Sequence, residues 1–288
     1  MPGTSAARVG REPMASPARR RSLLVPREHG AWGILLVPLV TGAFAGLRAG
    51  GEGWSLAPLV LTALSLFWLR TPVESWMGTT PVHARSADEI RLVRKAVFLL
   101  AAVAAASATW LFWGGRNRGL LWIGAMAAAA FAAQAVLKRS RRHARTAAQM
   151  IGAAGLTSTA PAAYYTVTGS LTGPAWSFWA ANLLFAVNQI HYVQVRIRAA
   201  HAGSRREKLS IGRRFLAGQI FLLSLLVSAC DLHWFRWYVA AAFAPILIRG
   251  FWWLVAAPQP LAVHRLGKSE LGFACLFGLL LVLGFALG

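Results

Sequence analysis

Acidic residues are scarce in this sequence. Only 9 of 288 residues are Asp or Glu, and charged residues of both signs make up 14%. A soluble globular domain carries about a quarter charged residues, so an ordinary water-exposed surface is excluded. Cysteine is nearly absent as well. Cys230 and Cys275 stand in different apolar runs, with no CxxC pair and no histidine at ligand spacing. A disulfide framework and a zinc site are therefore excluded. No shift in composition marks a second globular domain, and no short-period repeat is visible.

What fills the chain is apolar: 57% of it is hydrophobic, including 13 Trp and 15 Phe. These residues come in runs long enough to cross a bilayer as helices. The runs fall at about 30–48, 54–74, 95–113, 119–137, 147–167, 174–195, 215–232, 235–256 and 270–287. The fold class is therefore expected to be all-α, a polytopic transmembrane helix bundle of about nine spans over residues 27–288. Residues 1–26, rich in Arg, Ala, Pro and Ser, read as a disordered basic cytoplasmic tail. A cleaved signal does not fit, because the run after Val25 is too long for a signal h-region and no A-x-A site follows.

The formal net charge is +21. Such a balance can signal nucleic-acid binding. Here the Lys and Arg flank apolar runs and form no continuous surface, so nucleic acid is not an expected partner and anionic membrane lipid is. With the N-terminus inside, only Arg48, Arg116, Arg118 and Arg236 among the 30 Lys and Arg fall in outer loops, while Arg249 lies within a span. This asymmetry places the N-terminus in the cytoplasm of a bacterial-type inner or plasma membrane.

Ionisable groups in a membrane are costly and are functional candidates by default. Those within or bordering the spans are Glu28, His29, Arg70, Glu74, Asn188, His191, Tyr192, Arg198, Arg249 and Glu270. All lie toward the cytoplasmic side in this orientation. Asn188, His191, Tyr192, Val195 and Arg198 fall within an arc of about 120° on one helix. Arg70 and Glu74 are four apart and share a face. Two polar stripes at one depth imply a cytoplasm-facing cavity, although an arginine at a helix end also snorkels to phosphate. Gly42-x3-Gly46 has the spacing of a helix-contact motif. Thr157, Ser158, Thr159, Pro161, Tyr164 and Tyr165 either line a cavity or bond back to their own helix.

The stretch Arg27-Glu28-His29-Gly30-Ala31-Trp32, with Pro38 and Gly42 after it, resembles the opening of the YwiC-like membrane proteins. Arg70-Thr71-Pro72-x-Glu74-x-Trp76 and His264-Arg265-Leu266-Gly267-x-x-Glu270 extend the resemblance along the chain. It implies a multipass architecture and no particular reaction. A more distant similarity is to the UbiA-type intramembrane prenyltransferases, which have nine helices and a cytoplasmic-side cavity with key residues at the ends of helices 2 and 6. The chain departs from them in lacking both Asp-rich motifs. The first position offers Glu74, the second Asn188, His191 and Tyr192. Magnesium favours hard oxygen ligands such as carboxylates, so Mg²⁺ is not carried over and no other cofactor is indicated. Arg70, Arg196, Arg198 and Arg249 can still hold an anionic head group directly. The expected ligand is thus an isoprenoid or lipid-like amphipath. A transporter or permease, and a non-catalytic membrane scaffold, are the alternatives.

Overall fold

A computed structural model describes residues 16–25, 29–78, 80, 82–113, 117–140, 145–258 and 260–287. Among them every regular element is helical: α1 (Pro17–Leu24), α2 (His29–Arg48), α3 (Leu56–Trp76), α4 (Ala87–Trp113), α5 (Asn117–Ser140), α6 (Arg145–Thr157), α7 (Thr159–Thr168), α8 (Gly173–Arg198), α9 (Arg205–Asp231), α10 (Trp237–Ala242), α11 (Ala244–Val255) and α12 (Val263–Leu287), with a single 3-10 turn at Gly53–Ser55. Six helices are long and apolar enough to cross a membrane: Gly30–Arg48, Gly53–Trp76, Ala87–Trp113, Arg118–Leu137, Arg205–Asp231 and Val263–Leu287. Their outward faces carry large apolar side chains such as Phe98, Trp122, Phe221 and Leu279. The chain is a multipass integral membrane protein.

Two of the expected continuous spans are broken, and proline explains both breaks. The run 147–167 divides into α6 and α7 around Ser158. Pro161 has no N–H for the Thr157 carbonyl, and its ring crowds that carbonyl. The run 235–256 divides into α10 and α11 around Phe243, four residues on from which the regular pattern resumes with Leu247 N–H donating to the Phe243 carbonyl. Pro245 acts there on the Ala241 carbonyl in the same way. α8 is long enough to cross but carries Asn182, Asn188, Gln189, His191 and Gln194.

Two helices begin earlier than the apolar runs suggest, because each opens on a capping box. Ser86 Oγ accepts from Glu89 N–H, and the Glu89 carboxylate accepts from Arg85 N–H. Ser204 Oγ accepts from Glu207 N–H, and the Glu207 carboxylate accepts from Gly203 N–H. Basic residues expected in loops, among them Arg91, Arg205 and Lys208, are therefore helical.

The chain forms two compact units. One comprises the segment up to Arg27 with Leu61–Ala106; the other comprises Glu28–Val60 with Ser107–Gly288. In the first, disorder does not hold for the last part of the tail. Ser16 caps α1, with Pro17 at its first position, where a missing N–H costs nothing. α1 is fastened at both ends. Arg19 Nε and Nη2 take both Glu89 carboxylate oxygens at 2.5 and 3.2 Å. Trp68 Nε1 and Ser75 Oγ donate to the Leu24 and Leu23 carbonyls, and Leu23 is fully buried.

The second unit is organised around α2, which packs on α7, α8 and α12. Its small residues set the spacing. A Cβ on Gly42 would stand 2.1 Å from the Ala160 carbonyl oxygen, and one on Gly46 would stand 3.0 Å from Val167 Cβ. The Gly42-x3-Gly46 pair is thus a helix contact with α7. Asn182 Nδ2 donates to Thr41 Oγ1, tying α8 to α2. Thr157 and Ser158 hydroxyls donate to carbonyls of α6, and Thr159 Oγ1 reaches the Leu35 carbonyl. Phe185, Phe243 and Phe277 centre the apolar core.

Gly42→Ala forces backbone apart and is expected to destabilise by at least the 1–3 kcal/mol typical of overpacking. Gly124→Ala, with nothing within 4 Å of the added carbon, is expected to be neutral or mildly stabilising. Melting of the detergent-purified variants checks the pair; equal melting temperatures would contradict the tight α2–α7 contact.

Candidate functional site

Four helices of the second unit bring polar side chains to one buried place. α11 supplies Arg249, α12 supplies Glu270, α8 supplies Gln189 and Tyr192, and α9 supplies Gln219. Arg249 Nη1 donates to Glu270 Oε1 at 2.7 Å, with 12% and 3% of the two side chains exposed. Gln189 Nε2 donates to the Glu270 carbonyl oxygen at 2.7 Å. That carbonyl is still bonded within α12, so Gln189 uses its second lone pair.

Aromatic rings flank the guanidinium. Its carbon lies 4.1 Å from the Tyr192 ring centroid and 4.0 Å from that of Phe273. A desolvated cation over an aromatic face gains about 2 kcal/mol per contact. Gln219 is 1% exposed, and its Oε1 lies 2.6 Å from where a Cβ on Gly250 would stand. The glycine after Arg249 thus gives the amide its room.

Several atoms of this cluster have no hydrogen-bond partner: Arg249 Nε and Nη2, Glu270 Oε2, Gln189 Oε1 and both terminal atoms of Gln219. Outside it, Thr166 Oγ1 is the only other such buried side-chain atom among the described residues. Covalent geometry places Nε and Nη2 on the same edge of the guanidinium. That edge is the fork that matches the two oxygens of a carboxylate or phosphate. Arg19 uses the same two atoms on Glu89. In Arg249 the corresponding fork is buried and unpaired.

The other expected residues fall into separate surroundings. Arg70 Nε donates to Glu74 Oε1 at 3.0 Å in the first unit, each side chain about one-third exposed. On α8 the helical arc diverges. Tyr192 and Val195 enter an apolar cluster with Phe215, Trp253, Leu254 and Leu266. His191 is half-buried, stands edge-on to Phe215 at 5.3 Å and lies against Gly218 of α9. Arg198 Nη2 reaches Thr146 Oγ1 of α6 at 3.4 Å and is largely exposed. Asn188 is buried in α8, one residue before Gln189. Glu28 and the His29 side chain lie outside the described residues.

Gln189 and Gln219 belong to the cluster but are not among the sequence candidates, because neutral amides do not register in a search for charge. Their signal was present: each is an amide inside an apolar run. Lys208 is a second buried cation, yet its role is structural. Its ammonium donates to the Trp253 and Ala256 carbonyls at the end of α11 and sits over the Trp253 ring. It closes the carbonyl end of that helix, where cations are favoured.

Removing one member of a buried ion pair costs about 3–5 kcal/mol, because the other is left charged and alone. Arg249→Leu and Glu270→Leu are each expected to lower the melting temperature strongly, and the double variant to recover most of the loss. Strictly additive losses in this cycle would contradict the coupling.

No curated protein and no solved structure matches the chain. The stretch holding Pro26–Trp32, Gly42 and Arg70–Trp76 lies within residues 25–164, which match the model of YwiC-like protein. The match begins before α2 and ends within α7. Over residues 25–164, just under half of its length, the chain is similar to the YwiC-like family.

Proposed function

We propose that the chain binds the anionic head group of an isoprenoid or lipid-like amphipath, taken up from the cytoplasmic side, with Arg249 as its principal contact. The single observation that carries this reading is the buried, unpaired Nε/Nη2 fork, held in place by Glu270, Tyr192 and Phe273. Solvating that edge with an oxyanion satisfies the unpaired donors of Arg249, whereas leaving it bare in a low-dielectric interior costs several kcal/mol. Arg196, which donates to the Tyr192 hydroxyl, extends the positive potential toward the helix end. Asn188 and His191 are its further candidate neighbours on α8. Arg198, exposed near the end of the same helix, is proposed for the cytoplasmic entrance.

The proposed architecture is a nine-pass, UbiA-like bundle with the N-terminus in the cytoplasm. It is supported by counting α6 with α7, and α10 with α11, as one passage each. The UbiA-type metal chemistry does not fit the residues. No group of three or more His, Cys, Asp or Glu that could hold an ion occurs among the described residues. Glu74 and Glu270 are each bound to an arginine. The reading therefore rests on guanidinium recognition, and no step through Mg²⁺ is derived.

A second reading is favoured by one observation. Arg249 lies on one half of a broken helix, and transporters often build their sites on such halves. A transporter is expected to move a water-soluble oxyanion across proteoliposomes in an Arg249-dependent way.

A saturating ligand at 100 times its Kd stabilises by about 2.7 kcal/mol, or about 5 °C or more in melting temperature. Detergent-purified protein is expected to show such a rise with a long-chain isoprenyl phosphate, equally with and without Mg²⁺. The Arg249→Leu/Glu270→Leu double variant is expected to show none. No rise under either condition counts against the reading, and phosphate uptake without amphipath binding favours the transporter.

A further inference from the structure

We infer that the Arg249 site selects a head group in which an oxyanion is joined to an ammonium N–H donor, over a simple anion. The inference rests on the binding reading above and deepens it. It starts from the sign of what is left unpaired. The cluster offers unpaired donors, Arg249 Nε and Nη2 and the Gln219 amide nitrogen. It also offers unpaired acceptors, Glu270 Oε2, Gln189 Oε1 and Gln219 Oε1. Glu270, Gln189 and Gln219 are 2%, 4% and 1% exposed, so water outside the protein does not serve them.

An oxyanion alone answers only the donors. It leaves the Glu270 and Gln189 oxygens bare, and it adds negative charge close to Glu270. Arg249 already pairs with Glu270, so an anion added at the fork faces the Glu270 carboxylate with no N–H of its own to offer it. In a low-dielectric interior that is heavily penalised. A ligand carrying its own donor beside the oxyanion removes both difficulties. The oxyanion takes the fork. Its ammonium then donates to Glu270 Oε2 and Gln189 Oε1; the bond from Gln189 Nε2 to the Glu270 backbone carbonyl keeps that amide beside the residue. A quaternary ammonium fails the second half of this test, because it has positive charge but no N–H to donate. Phosphoethanolamine has the required chemistry, as does a free amino acid.

The test uses the full chain in a maltoside detergent, with single-chain phospholipids of identical acyl chain and binding read by native mass spectrometry. Lysophosphatidylethanolamine is expected to bind at least tenfold more tightly than lysophosphatidylcholine, whose methyls replace every N–H, and than lysophosphatidic acid, which lacks the ammonium. Glu270→Gln keeps the shape and removes the negative charge; it is expected to reverse the order in favour of lysophosphatidic acid. Free glycerophosphoethanolamine separates the sources. Binding as tight as the lysolipid keeps the head-group selection and removes the lipid chain from the reading. Native protein that prefers lysophosphatidic acid or binds lysophosphatidylcholine equally well overturns the selection while leaving oxyanion binding at Arg249 intact. Failure of all four probes to bind in an Arg249-dependent way overturns both.

Discussion

The lipid interior supplies no hydrogen-bond partners, and this constraint governs every polar side chain in the bundle. Most of them solve it locally. Thr157, Ser158 and Thr168 hydroxyls bond to carbonyls about one turn back along the chain. Asn182 divides its amide between Thr41 and its own helix. Lys208 reaches the carbonyl end of α11. Against this background the cluster around Arg249 is the exception, because its members are joined and yet incompletely satisfied. A structural ion pair needs only to neutralise itself. This one also leaves a planar donor edge, a carboxylate oxygen and an amide oxygen without partners, and the proposed binding site stands on those atoms.

The broken helices and the glycine contacts position that cluster. Pro245 ends the regular hydrogen bonding before α11, so α11 is a short segment that packs on α9 and α12. Arg249 then stands one turn beyond the break. On α9, Gly212 accepts the Leu254 and Trp253 side chains at 3.0 and 3.3 Å from its would-be Cβ, which draws α11 close. Gly250 does the same for Gln219 from the opposite helix. Small residues thus bring backbone near backbone, as membrane bundles require, and the polar atoms are enclosed as a consequence.

Much of this was readable from residue types. Arg249, Glu270 and Tyr192 are candidates on the sequence alone, since an ionisable group in an apolar run is rarely idle. What the sequence could not supply was partnership. Helical periodicity groups Asn188, His191, Tyr192 and Arg198 on one arc, but an arc of 120° is wide enough to face three neighbours. Tyr192 meets α9 and α11, His191 meets α9, and Arg198 meets α6. Periodicity gives an angle about one axis and nothing about which helix lies there. The breaks at Ser158 and Phe243 were encoded by Pro161 and Pro245, yet apolar-run counting passes over proline because it scores hydropathy alone. The capping boxes at Ser86 and Ser204 were likewise in plain view, hidden only by attention to the apolar runs that follow them.

The identity of the residue at 249 is itself an argument about function. A lysine ammonium has three donors on one compact centre and is strongly hydrated, so burying it beside Glu270 would spend all of its bonding on the pair. The guanidinium is planar and weakly hydrated, and its donors point along separate edges. Tyr192 and Phe273 approach its carbon at about 4 Å, as ring stacking allows, and Glu270 takes one nitrogen. What remains is the Nε/Nη2 edge, fixed in direction by contacts that do not use it. Lys208 shows the contrast within the same molecule: there a compact cation bonds two carbonyls at a helix end and sits over the Trp253 ring. The two buried cations therefore divide their tasks by shape, one closing a helix and the other leaving one edge of its fork without a partner.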